Sequence, residues 1–171
     1  MTDRGALRLA GTFGLAWGVL AMASYIAEFA LAGRIAPGGA PLGLVLAALA
    51  TAAFAATMFF LAPTFRQPMG KIACYAGMAL ALVLLLLQFV RIGGNALAPV
   101  VSVLLGIAMI AAGALAAMQV GSGAWKGFAI LLIVAGAMKA IVVGEIVYPF
   151  IACAAGIVLF VAMKVAAKRA A

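Results

Sequence analysis

Six uninterrupted apolar runs decide what this chain can fold into. They are Leu9–Leu31, Pro41–Ala62, Gly70–Val90, Pro99–Val120, Trp125–Val143 and Pro149–Val165. A helix crosses the roughly 30 Å hydrocarbon layer of a bilayer in about 20 residues, and each run has the length for it. The runs are continuously apolar and do not alternate, which excludes a transmembrane β-barrel. The expected fold is therefore an all-α integral membrane protein with six transmembrane helices. Residues 1–171 make one such domain, with loops of no more than about ten residues and no extramembrane domain.

Composition leads to the same place. Of 171 residues, 70% are hydrophobic and 8% charged, and the mean hydropathy is +1.35. Soluble domains carry about 25% charged residues, so this chain could not cover itself with a hydrated surface. Disorder, a disulfide scaffold, a collagen-like fibre and a soluble enzyme are excluded. Eleven Lys and Arg against three acids give a net charge of +8. In a soluble protein that balance would suggest nucleic acid. Here the cations stand singly at the ends of apolar runs, in no stripe and with no aromatic interleaving. They report membrane topology and anionic headgroups, and no nucleic-acid partner is expected.

The segments between runs are turn chemistry: Ala36-Pro37-Gly38-Gly39-Ala40, Arg66-Gln67-Pro68, Gly93-Gly94-Asn95 and Gly121-Ser122-Gly123. The second, fourth and sixth runs open with Pro41, Pro99 and Pro149, and proline suits the first helical position because the amide it lacks has no partner there. The chain thus reads as three hairpins. Their outer turns, from Arg34 to Pro41, Arg91 to Pro99 and Gly144 to Pro149, are alike enough to suggest an internal repeat. The shared preference of any tight turn for Gly and Pro explains them equally well. With the N-terminus in the cytoplasm, one side holds Arg4, Arg8, Arg66, Lys71, Lys126, Lys164, Lys168 and Arg169. The other holds Arg34, Arg91 and Lys139. That imbalance places both termini in the cytoplasm of a multi-pass protein of the bacterial inner membrane. Ala30-Leu31-Ala32 resembles a signal-peptide cleavage site, but the apolar stretch before it is too long and contains Glu28, so a retained first helix is expected.

Few residues can carry chemistry. The chain has no histidine and no Cys-x-x-Cys, so no metal site and no cofactor is expected. Cys74 and Cys153 lie at opposite depths, roughly 18 Å apart at 1.5 Å per residue, too far for a disulfide. The nine methionines are scattered core filler. Ser102 and Lys139 share the outer third of their helices, the one pairing that nucleophilic catalysis could use. Serine is routine packing material in membrane helices, so no catalytic residue is assigned and an enzyme is not expected.

Depth is the informative signal. Glu28, Lys139, Arg91, Asn95 and Glu145 gather near the outer boundary, with Arg34, Gln88, Tyr25 and Tyr148 at the same level. They form the candidate substrate-binding set. Ionised groups are expensive at mid-membrane and cheaper near the interface, and pairing reduces the expense further. Glu28 is therefore expected to pair with Lys139, or otherwise with Arg34 or Arg91. The plainer account is that Lys139 snorkels to the interface while Arg34 and Arg91 serve only as loop residues. At the inner surface, Arg66, Lys71, Lys126, Lys164, Lys168 and Arg169 are the candidate lipid-headgroup residues, with Arg4 and Arg8 beside them.

Small residues at helical spacing mark close contacts between helices: Gly14 and Gly18, Gly113, Ala117 and Gly121, Gly136, Ala140 and Gly144, and Ala152 with Gly156. The residues Trp125, Gly136, Gly144, Pro149 and Gly156, with a proline near each outer turn, resemble the HdeD-like six-helix membrane proteins. That resemblance covers barely a third of the chain and transfers no functional residue. Two function classes follow from the sequence. One is a small transporter, channel or lipid-interacting protein whose site is the outer polar cluster. The other is a non-catalytic membrane subunit or assembly factor that packs on a partner complex through its small-residue faces. Membrane lipids are expected partners in either case, and a homo-oligomer or another membrane protein is open.

Overall fold

The computed structural model describes residues 4–31, 41–90, 97–119, 123–141 and 146–169. Among them are six α-helices and no strand: α1 Arg4–Leu31, α2 Pro41–Leu61, α3 Pro68–Val90, α4 Leu97–Ala117, α5 Gly123–Ala140 and α6 Tyr148–Arg169. All six are long and apolar enough to cross a membrane. The prolines punctuate these helices without breaking them. Pro41 and Pro68 open α2 and α3, and Pro99 and Pro149 fall in the first turn of α4 and α6, where a missing N–H leaves no ladder bond unmade. Pro63 sits in the short 3-10 turn Ala62–Thr64 that ends α2. The hydroxyls of Thr51 and Thr57 donate back to the carbonyls of Ala47 and Ala53 at 2.9 and 2.7 Å, so neither is stranded in an apolar medium.

Each helix packs on its neighbours in the chain, and α6 returns to pack on α1, so the six close into a ring. The α1–α6, α1–α2 and α4–α5 contacts are the most extensive. Glycine explains two of them. A Cβ on Gly136 would stand 2.6 Å from the Gly106 carbonyl oxygen, and one on Gly106 2.5 Å from that of Gly136. On the opposite side of the ring, a Cβ on Gly18 would meet the Ala152 carbonyl at 2.7 Å, and Gly156 presses equally on the Gly14 carbonyl. No other residue fits at these places. Backbones this close gain dispersion and Cα–H···O contacts, which hold helices together where lipid removes the hydrophobic drive between them. Of the small residues expected to meet a partner complex, Gly14, Gly18, Ala152 and Gly156 pack at α1–α6, and Gly113 and Gly136 at α4–α5 with Gly106 joining them, while Ala117 is exposed. Gly121 and Gly144 lie outside the described residues.

The two ends of the ring differ. We call the end where α1 starts and α6 finishes the terminal end, and the opposite one the far end. Toward the terminal end the interior is filled by Met58, Leu61, Phe65, Cys74, Met109, Phe128, Leu132 and Leu159, all under 2% exposed. Phe65 and Phe128 flank Trp125, with ring centroids 6.2 and 5.8 Å away. The Trp125 indole donates to the Ala116 carbonyl at 2.9 Å. Outside the ring, large apolar side chains stand exposed on every helix, among them Val19, Phe59, Leu86, Ile107, Ile130 and Val161. A surface of that kind suits lipid as its solvent.

Helix ends depart from the apolar runs in an instructive way. α1 begins at Arg4, ahead of Leu9, because the helix continues through Arg4 and Arg8 past the end of the apolar stretch. Val143 lies outside the described residues; α5 ends at Ala140, which places Lys139 in its last turn. A cation there complements the helix dipole.

Candidate functional site

At the far end the ring is not filled. A cavity of about 120 Å³ lies between the helices, and all six contribute to its wall: Trp17 and Ser24 from α1, Thr51 and Phe54 from α2, Gln88 from α3, Leu105 from α4, Lys139 from α5 and Tyr148 from α6. It extends from the level of Trp17 and Phe54, midway along their helices, to the helix-end residues Gln88 and Tyr148. At roughly 30 Å³ per liquid water, it holds a few waters or one small solute.

Its floor is aromatic and ordered. The Trp17 ring meets Phe54 edge-on at 5.0 Å, and its Nε1–H donates to the Tyr148 hydroxyl at 3.2 Å. Tyr148 in turn presents its ring face to Lys139, whose Nζ lies 4.5 Å from the ring centroid. A cation over an aromatic face is attracted by the ring quadrupole, more so when partly desolvated. One polar chain therefore runs from the indole through the phenol to the ammonium and ties α1, α6 and α5 together. The Ser24 and Thr51 hydroxyls on the wall donate to their own helix carbonyls, Ala21 and Ala47, and keep acceptor capacity. Gln88 Oε1 is buried with no hydrogen-bond partner. A buried acceptor left unmade costs about 1–3 kcal/mol, so something that donates belongs beside it.

The expected site set divides accordingly. Lys139 is half-buried and lines the cavity. Glu28 does not line it: the residue is exposed, with its Cγ against Gly43 on the first turn of α2. The cavity does not bring Glu28 and Lys139 together: Glu28 is exposed against Gly43, while Lys139 lies over Tyr148 on the wall. Arg91, Asn95, Glu145 and Arg34 lie outside the described residues. Ser102 is half-buried on α4 and is not a wall residue of the cavity, so it does not share Lys139's setting. Sequence reasoning named Gln88 and Tyr148 as neighbours in depth without assigning them a role. It passed over Trp17 and Thr51, whose residue types are ordinary in any membrane helix. Both cysteines are free thiols.

The terminal end carries the cations. Arg4, Arg8, Arg66, Lys71, Lys126, Lys164 and Lys168 are all exposed. Arg66 and Lys71 flank the start of α3, and Lys126 sits in the first turn of α5. Arg169 ends α6, and its side chain lies outside the description. A groove of about 530 Å³ runs between the start of α1 and the end of α6, lined by Arg4, Arg8, Gly11, Thr12, Phe160, Met163, Lys164 and Lys168.

No protein-family model, curated protein or solved structure matches this chain.

Proposed function

We propose that this chain is a multi-pass inner-membrane protein that takes a small polar solute into the far-end cavity, in the manner of a transporter. The observation that carries this reading is the buried Gln88 oxygen, unpartnered, in a cavity whose charged wall residue is Lys139. The Gln88 oxygen asks for an O–H or N–H, and the positive charge that Lys139 sets on the wall favours an anion. A small hydrogen-bond-donating anion, of the class of a hydroxy carboxylate or bicarbonate, meets both demands in the space of a few waters. The filled aromatic interior at the other end supports a transporter over a continuous channel, since passage would need that packing to shift. The role is binding and passage, with no catalytic step and no cofactor.

In this proposal the three hairpins cross the membrane with both termini in the cytoplasm, the cation-rich terminal end against the anionic leaflet and the cavity toward the outside. The alternative of an assembly subunit loses its main support, because the glycine faces that would dock a partner are taken up within the ring.

The two tryptophans provide the test. In a Trp125→Phe variant, Trp17 reports alone from the cavity wall. Glycolate or bicarbonate, titrated into the detergent-purified protein, is expected to shift Trp17 emission saturably, and Lys139→Met is expected to abolish the shift. Emission unmoved by either anion, or moved equally in Lys139→Met, would mean that the cavity holds water only and that the reading is wrong.

A further inference from the structure

The groove at the terminal end has a chemistry separate from that of the cavity. Arg4 and Arg8 are four residues apart on α1, and Lys164 and Lys168 four apart on α6, so each pair stacks like charges on one helix face. Such pairs repel. The antiparallel packing of α1 on α6 then sets the two stacks across one groove, and among the described residues lining it there is no acid. Lys164 is held at the wall by its own helix, with Nζ 4.6 Å from the Phe160 ring centroid. One turn further from the chain ends the lining changes to Gly11, Thr12, Phe160 and Met163. From Arg4 to Thr12 the groove therefore passes from mainly cationic, with Ala167 among the cations, to largely apolar over roughly 12 Å, at 1.5 Å per residue.

We propose that this groove is a binding site for a glycerophospholipid carrying two phosphates, with the phosphates held by Arg4, Arg8, Lys164 and Lys168 and the first acyl segments laid along Phe160 and Met163. The gradient selects a lipid over a free phosphate or an acidic peptide, because neither of those has an apolar tail to cover the deeper half. The charge count selects two phosphates over one. Counting Arg8, Lys164 and Lys168 alone, a single phosphodiester balances one of three cations, whereas a pair of phosphodiesters reaches both stacks at once. The other exposed cations, Arg66, Lys71 and Lys126, do not line this groove. They serve as a built-in comparison for charge alone.

The experiment is native mass spectrometry of the full chain in detergent, titrated with diphosphatidylglycerol, phosphatidylglycerol or phosphatidylcholine. Diphosphatidylglycerol is expected to bind most tightly and phosphatidylcholine not detectably. The double variant Arg8→Gln, Lys164→Gln should weaken diphosphatidylglycerol binding about 25-fold, from about fivefold for each cation near anionic lipid. The double variant Arg66→Gln, Lys71→Gln removes the same charge and should change it less than about threefold, because charges outside the groove act only through a screened field. All four positions are exposed, and melting temperature in detergent shows whether each variant is folded. Charge-preserving Arg8→Lys is expected to bind within about threefold of the parent, since phosphate accepts either cation. Equal losses in the two double variants would overturn the proposal in favour of diffuse surface attraction. Displacement of the lipid by millimolar inorganic phosphate would overturn it in favour of a free-anion site. Equal affinity for phosphatidylglycerol would overturn the two-phosphate assignment.

Discussion

The far end and the terminal end of the ring are built from the same six helices and solve opposite problems. At the terminal end, side chains above all fill the interior: Phe65, Trp125 and Phe128 interlock there, Trp125 satisfies its N–H on the Ala116 carbonyl, and every described cation stands outside. At the far end the interior keeps space, and polar groups line it: Lys139, Tyr148, Gln88 and Trp17. The described charge that enters the ring does so only where the ring is hollow. The lesson is that packing and polarity trade places along one bundle axis. A cation is tolerated where solvent or solute can reach it, and close packing excludes it elsewhere, whereas unpartnered amide atoms stand at both ends, Gln88 Oε1 and Gln119 Nε2.

The comparison breaks most severely if the filled end is hollowed. Phe128 is fully buried, and Phe128→Ala should lower unfolding stability in detergent by about 3 kcal/mol, the low end of the usual range for such truncations. The low end applies because lipid removes most of the transfer contribution and leaves the cavity and dispersion losses. A loss under about 1 kcal/mol would mean that the terminal end is no better packed than the far end. A second change acts on the seams that both ends share. Gly136→Ala should cost about 2 kcal/mol, since its new Cβ meets the Gly106 carbonyl and Met109 below 3.0 Å and backbone must move. On the same helix a Cβ on Gly127 meets only Val158, at 3.5 Å. Gly127→Ala should therefore be neutral or stabilise by up to about 1 kcal/mol, and similar melting shifts for the two variants would remove the close-approach argument. The smallest effect belongs to the cavity floor: Trp17→Phe breaks the bond to Tyr148 and should lower stability by about 1 kcal/mol. Its loss should also loosen the Tyr148 ring that faces Lys139, visible as weaker glycolate binding in titration calorimetry.

Depth was legible in the sequence and azimuth was not. The six helices, the crowd of cations at one end and the shared level of Lys139, Gln88 and Tyr148 all follow from position along apolar runs. Which way a side chain points around its helix does not, because Ala, Leu, Val and Gly cover every face of these helices and leave no stripe to orient them. Glu28 illustrates the gap: its level was right for a partner on α5, yet it is exposed against Gly43 of α2 and does not line the cavity. Lys139 shows the reverse case, since its level and its inward direction coincide. The glycine faces were legible as contacts, but their partners were not. Nothing in Gly14 or Gly18 says that the matching surface is Ala152–Gly156, far along the chain, and not another protein.

That last pairing sets a schedule for assembly in the cell. The α1–α6 seam joins helices far apart in the chain, and Trp17 and Tyr148 are 131 positions apart. At about 5–20 residues per second of synthesis, α1 waits roughly 7–26 s before its closest neighbour exists. During that interval the Gly14–Gly18 face has only lipid, α2 or a chaperone to meet. The ring is therefore a structure that the nascent chain can close only once α6 is made, and a chain stopped short of α6 would hold that adhesive face uncovered.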